Sequence, residues 1–228
     1  MSELHYLKGF EQVSPDVFHE ITFDFTKEFL KNNSCLNIGC WTGGFESLVG
    51  ESSKSFLVSV DIDKEALKTA KSSMPEANFI RAEAQKLPFR DASFDVATMF
   101  YVIEHLPKEK EFLILEEIKR VLNKEGKLII VTHNYHWFGN LLDIAYWVVG
   151  HRHYKINLLK KMLNEAGFSI DKLQLKGNFI TTISSPFFYL FKYLFKKNIY
   201  RDYKAIRHLI KEDFKKKGFR DIFLVAKK

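Results

Sequence analysis

The strongest chemical signal in this sequence is a glycine-rich turn followed at a distance by one acidic residue. Leu36-Asn37-Ile38 is an apolar run that stops at Gly39, and Cys40-Trp41-Thr42-Gly43-Gly44-Phe45 leads into a short helical stretch. Glycine at such a turn lets a ligand approach the backbone, and the helix start behind it favours a carboxylate or phosphate. Glycine can also serve only the positive φ of the turn. Asp61 favours the ligand: it lies 22 residues beyond Gly39, at the end of the second apolar run, Phe56 to Val60. A carboxylate there accepts both hydroxyl hydrogens of a ribose, so the pair predicts a nucleoside-containing ligand.

Histidines supply the next candidates. His105 follows the fourth apolar run, Phe94 to Phe100, and an imidazole titrating near neutrality there predicts a general base; its plain alternative is a histidine that packs or caps a helix start. Glu104 reads as orienting His105 or as solvated. His133, His136, His151 and His153 follow the fifth run and could supply the base instead. They also raise the question of a metal, but no carboxylate–histidine spacing supports one, and none is expected. Only Cys35 and Cys40 are present, which supports neither a disulfide framework nor a structural zinc.

The elements that must position these residues follow from periodicity. Ser14-Pro15-Asp16 reads as a cap with proline at the first helical position, and Phe18, Ile21, Phe25 and Phe29 continue a helix to about Asn32-Asn33. Short β-rich runs at Cys35 to Ile38, Phe56 to Val60, Asn78 to Ile80, Phe94 to Phe100 and Lys127 to Thr132 alternate with helix-length segments. That rhythm predicts an α/β fold, a doubly wound and mostly parallel sheet with right-handed crossovers. Leu158 to Ala166 then reads as a helix, Ser169 to Leu175 as a strand and Ile222 to Ala226 as a last strand. With no repeat or linker, residues 1–228 read as one domain carrying two insertions, 134–157 and 178–218.

At this level the chain resembles the class I S-adenosylmethionine-dependent methyltransferases, especially the small-molecule branch that includes quinone-biosynthesis enzymes. Asn37-Ile38-Gly39-Cys40-Trp41-Thr42-Gly43 resembles the family's first motif, Val60-Asp61-Ile62-Asp63 its ribose motif, and the run from Ala82 to Phe89 its adenine motif. Ser93 to Val96, Val102 to Leu106, Glu117 to Leu122 and Lys160 to Phe168 follow in the family's order. The resemblance implies a seven-stranded Rossmann-like sheet with S-adenosylmethionine as cofactor. It places Gly39 and Gly43 beside the methionine part, Asp61 on the ribose, Ile62 on the adenine face, Glu83 and Ala84 at its edge, and Phe100 beside the transferable methyl. Tyr101, His133, Tyr135 and Trp137 are then expected on the acceptor side. Two positions depart from the pattern: Asn37 stands where the family has an acidic residue, and Trp41 where it has glycine.

Charge separates the two parts of the chain. Residues 1–133 hold 16 Lys and Arg against 21 Asp and Glu, whereas residues 134–228 hold 19 against 7, together with 19 of the 34 aromatic residues. A basic, ring-rich surface suits an anionic partner. The insertions should start at the carboxyl edge of the sheet if the strand at 169–175 runs parallel to its neighbours, and form an aromatic, basic cap over the acceptor site. Phe138, Leu141, Leu142, Ala145, Tyr146 and Val149 form one apolar helical face; Phe187, Leu190, Phe191, Leu194 and Phe195, flanked by Lys192, Lys196 and Lys197, form another. Segments 137–149 and 186–197 therefore either pack as a second core or bind an anionic membrane.

The function expected is methyl transfer to a small or lipid-linked acceptor, chiefly at oxygen. RNA methylation and a catalytically silent, cofactor-binding scaffold or activator are the alternatives, and nucleic acid is the less favoured partner. The N-terminus lacks a signal-peptide layout, so a cytoplasmic location is expected, with peripheral attachment to the membrane's inner face.

Overall fold

The computed structural model describes residues 14–52, 56–148, 150–195 and 198–228. Helix α1 (Val17–Leu30) starts later than the Ser14-Pro15 reading. Its cap is Asp16, whose carboxylate accepts from the backbone N–H groups of Phe18 and His19, while His19 Nδ1 returns to the Asp16 backbone N–H. Aspartate caps a helix about as well as serine and adds negative charge at the positive end of the helix dipole.

Seven strands form one sheet in the order β3-β2-β1-β4-β5-β7-β6. They are β1 (Ser34–Ile38), β2 (Phe56–Asp61), β3 (Asn78–Arg81), β4 (Phe94–Phe100), β5 (Leu122–His133), β6 (Ser169–Lys176) and β7 (Asp221–Lys227). The first five are parallel, and β7 is antiparallel to both β5 and β6. Strand β6 therefore lies antiparallel to the neighbour it was expected to follow, yet runs in the same sense as β1–β5. Its C-terminal end, where insertion 178–218 begins, is still at the carboxyl edge.

Between the strands run α2 (Gly44–Ser52), α3 (Lys64–Ser73), α4 (Glu111–Val121) and α7 (Ile156–Glu165). Helices on both faces bury the sheet twice, so its central strands read as continuous apolar runs. Side-chain alternation divides Lys127–Val131 between two cores: Leu128 and Ile130 pack with α4 and α7, while Ile129 and Val131 pack with α1. Each of these four is fully buried, contributing roughly 1.5–3 kcal/mol.

The first insertion forms α5 (Trp137–Leu142) and α6 (Ile144–Val148); the second forms α8 (Phe179–Phe195), α9 (Ile199–Asp202) and α10 (Lys204–Lys215). Helix α8 packs against α5, α6, α9 and α10. Val149, Lys196 and Lys197, which belong to the faces anticipated from sequence, lie outside the described residues. No helix among the described residues is long and apolar enough to cross a membrane.

Candidate functional site

A cavity of about 670 Å³ opens at the carboxyl ends of β1, β2, β4 and β5, within the size range of small-molecule sites. Gly39, Asp61, Ile62, Glu83, Ala84, Phe100, Tyr101, His105 and His133 all line it. Gly43, Tyr135 and Trp137 do not. A Cβ on Gly43 would stand 2.6 Å from Met74 Cε, so this glycine makes room for α3 rather than for a ligand. Tyr135 and Trp137 are exposed.

One end of the cavity is organised by Asp61. Its Oδ2 accepts from the Trp41 backbone N–H at 2.7 Å and its Oδ1 from the Asp63 N–H at 2.9 Å. Burial pushes the carboxyl upward, and these N–H donors oppose it. Trp41 has φ +49°, a left-handed conformation uncommon outside glycine, and its bond to Asp61 helps hold it there. Ile62, beside them on the wall, is 61% exposed and presents an aliphatic face to the opening. Beneath the turn, Asn37 donates its amide to Glu46 Oε1 and accepts from Thr98 Oγ1; Ser59 Oγ also donates to Glu46 Oε1. The acidic group missing at position 37 is thus present one layer behind it, on α2. Burial raises the Glu46 carboxyl, and its Oε2 has no hydrogen-bond partner among the described residues.

The other end is a buried charge network. The antiparallel register of β5 and β7 sets His133 directly opposite Asp221. His133 Nδ1 lies 2.7 Å from Asp221 Oδ1, while Asp221 Oδ2 accepts from Tyr101 Oη at 3.0 Å and from Arg220 Nη1 at 2.6 Å. Burial alone would lower the His133 imidazole, but the adjacent Asp221 carboxylate outweighs it and the net shift is upward. Burial likewise opposes ionisation of Asp221, yet Arg220 and His133 hold it below the usual carboxylate range. Tyr101, at φ +53°, is a second non-glycine residue in left-handed conformation on the cavity wall. Backbone strain of this kind concentrates at functional sites.

Glu104 faces His133 rather than His105. Its Oε2 accepts from Thr132 Oγ1, and its Oε1 lies 3.9 Å from His133 Nε2. His105 lines the cavity, but burial and then the nearby His133 and Arg152 charges push its imidazole down to about 4, well below the neutral titration expected from sequence. His105 packs edge-on against His151, itself lowered to about 3 by burial.

His133, Asp143 and His151 offer ligand atoms within 4.8 Å of one another, a convergence that the sequence spacing did not indicate. Asp143 is 3.0 Å from His153 Nε2, and His133 is held by Asp221. Two of the three are therefore satisfied without an ion, and the Arg220 cation lines the same wall.

Sequence reasoning missed several wall residues. Arg220 lines the cavity and Asp221 anchors His133, although nothing in the sequence but a charged pair before the last strand marks them. Asp16 and His19 reach the cavity from the start of α1, Asp143 from the first insertion, and Ser185, Phe188, Tyr189 and Tyr200 from the second.

Residues 36–130 match a family model described as a methyltransferase domain. Among sequence relatives, a probable S-adenosylmethionine-dependent methyltransferase of Mycobacterium tuberculosis is 29% identical over 150 residues, covering 66% of this chain and 54% of that protein. A demethylmenaquinone methyltransferase of Lactococcus lactis is 32% identical over 103 residues, 42% of this chain and 39% of that protein. The chain thus spans about half the length, or less, of these relatives. Among solved structures, a SAM-dependent methyltransferase from Archaeoglobus fulgidus shares the fold with a TM-score of 0.65 at 19% identity, covering 99% of this chain and 100% of that one.

Proposed function

We propose that this chain is a class I S-adenosylmethionine-dependent methyltransferase that transfers a methyl group to an oxygen atom of a small or lipid-linked acceptor, a reading supported by the methyltransferase-domain match over residues 36–130 and by the likeness to a probable S-adenosylmethionine-dependent methyltransferase. The cofactor, S-adenosylmethionine, supplies when bound an activated methyl on a sulfonium leaving group, so the protein's main task is in-line positioning.

The residues fit that cofactor. An ionised carboxylate offers about four acceptor positions; Asp61 uses two on Trp41 and Asp63, which leaves two for ribose hydroxyls. The exposed Ile62 offers an aliphatic platform for the adenine ring, with Glu83 and Ala84 on the same wall. Gly39, at φ +79°, lines the cavity at the turn where the methionine part would lie, and the room its missing side chain leaves is filled by Val102. Glu46, behind that turn, fixes the Asn37 amide that lines the cavity.

His133 is the group that takes the acceptor's hydroxyl proton, at Nε2. Asp221 holds its Nδ1–H, fixes the tautomer and stabilises the imidazolium that forms. Glu104, whose carboxyl is pushed upward by burial, lies 3.9 Å from Nε2 on the side that receives the proton. His105 is too weak a base for this role.

The observation that carries the reading is that one cavity joins the strand-end carboxylate Asp61 to the His133–Asp221 pair. Calorimetric titration with S-adenosylmethionine and S-adenosylhomocysteine tests it. The protein should bind both in the micromolar range and Asp61→Ala should weaken binding about a hundredfold or more, matching the loss of two charge-assisted hydrogen bonds at about 1.5–3 kcal/mol each. No binding at millimolar ligand would overturn it.

A further inference from the structure

Helix α8 packs Phe188 and Phe191 against the core, yet its fully buried positions are polar and a second apolar stripe faces outward. Thr181, Thr182 and Ser185 are buried, with Thr181 Oγ1 donating to Asp213 Oδ2 and Ser184 Oγ paired with Tyr200 Oη. Phe179, Ile183, Phe187, Leu190 and Leu194, recurring every three to four residues, face outward; Phe187 is 53% and Leu194 67% exposed. The neighbouring helices repeat the inversion. Asn140 and Asp143 are buried, while Trp137 is 71% and Trp147 65% exposed, beside exposed Leu141 and Val148. A helix bathed in water turns its apolar stripe inward, and exposed apolar surface on this scale marks a site of contact.

Charge identifies what makes that contact. Residues 144–164 and 172–201, which contain α6 and α8, hold ten Lys and Arg and not one Asp or Glu. Outward apolar faces too short to span a bilayer, one of them bearing Trp147 in acid-free basic sequence and the adjoining α5 adding the exposed Trp137, are the pattern of helices lying in a membrane interface. We propose that α5, α6 and α8 dock this protein on an anionic lipid surface, with Trp137, Trp147, Phe187 and Leu194 inserted at headgroup depth. The opposite side of α8 places Ser185, Phe188 and Tyr189 on the cavity wall. One helix thus borders both bilayer and cavity, and a lipid-linked acceptor is the substrate class this serves; that last step rests on the methyltransferase reading, whereas the docking does not.

Sedimentation with vesicles of phosphatidylglycerol and phosphatidylcholine, or of phosphatidylcholine alone, tests the docking. The protein should partition onto the anionic vesicles at least about tenfold more strongly, and lose that preference in high salt. Trp147→Glu with Phe187→Glu should abolish the partition while leaving S-adenosylhomocysteine binding within about twofold; if that pair does not fold, Trp137→Ser with Trp147→Ser should weaken partition about tenfold. Equal partition of wild type and folded variant would overturn the proposal. So would a wild-type dimer that ignores vesicles and that the substitutions convert to monomer, since a second copy would then cover the face. Vesicle binding without cofactor binding would uphold the docking and sink only the methyltransferase reading.

Discussion

Replacing His133 by glutamine isolates the proposed base from the scaffold that holds it. The amide can still donate to Asp221, which keeps its bonds from Tyr101 and Arg220, so the network loses a base without stranding a buried charge. Cofactor affinity, set at the Asp61 end, should stay within about threefold. General-base catalysis contributes roughly 10²–10⁴ in rate, so methyl transfer should fall by that factor, about 3–5 kcal/mol of transition-state stabilisation. The pH profile carries the sharper test. His133 is displaced upward from its ordinary value and must be neutral to act, so the wild-type rate should climb with pH through that raised value and then level. His105, pushed down to about 4, is neutral above about pH 5 and contributes no such limb. Release of labelled methyl product across an acceptor panel of phenols and polar lipids gives the rates, and NMR titration of labelled imidazoles assigns the two histidines. A rising limb that persists in His133→Gln, or a larger loss in His105→Gln than in His133→Gln, would refute the reasoning.

Further outcomes follow from the same geometry. Gly39→Ala would drive a Cβ to 2.2 Å from Val102 Cγ2 at φ +79°, so a stability loss of at least about 1–3 kcal/mol is expected by denaturant unfolding; adding Val102→Ala should recover the steric part and leave the backbone part. Glu46→Gln keeps an acceptor for Asn37 and Ser59 while removing a buried charge, so its melting temperature should match or exceed wild type. Glu46→Ala strands both donors and should cost about 1–3 kcal/mol for each. Stability should fall on either side of near-neutral pH. His105 and His151 are depressed, so stability is lost as pH drops below about 6.5 toward their folded values, where only the unfolded chain takes up their protons. His133 is raised, and its contribution is lost as pH climbs through its folded value. Melting temperatures measured across that range that stay flat would contradict both shifts.

The sheet was legible because its signals are local. Apolar runs of strand length, each ending in Gly39, Asp61 or Phe100, alternate with helix-period segments, and period and length alone separate the two. That Gly39, Asp61, Ile62, Glu83 and Ala84 line one cavity was legible for the same reason: they sit at or just past strand ends, where a doubly wound fold must open. The cap of α1 was misread because Ser14 and Asp16 both suit a helix start. The acidic partner missing at Asn37 was overlooked because Glu46 lies on another element and reaches it only through folding. The insertion helices carried a readable apolar stripe but no record of which way it faces, since direction depends on packing partners absent from the local pattern.

The acceptor end was opaque for a reason that also says how it is built. His133 and Asp221 are 88 residues apart and meet only because β7 enters the sheet antiparallel, bringing its first residue to the edge where β5 ends. A parallel last strand would have carried Asp221 to the opposite edge, away from His133. The reversal of one strand therefore supplies the carboxylate that raises this imidazole and the arginine that keeps the carboxylate ionised. The insertions then complete the wall around it with Asp143, Ser185 and Tyr200. In the proposed function, cofactor recognition falls to the parallel half of the sheet and proton handling to the antiparallel junction. Substitutions at Asp61 and at His133 should therefore act independently: their effects on cofactor affinity and on the pH-dependent rate should be additive, as expected for sites without shared partners.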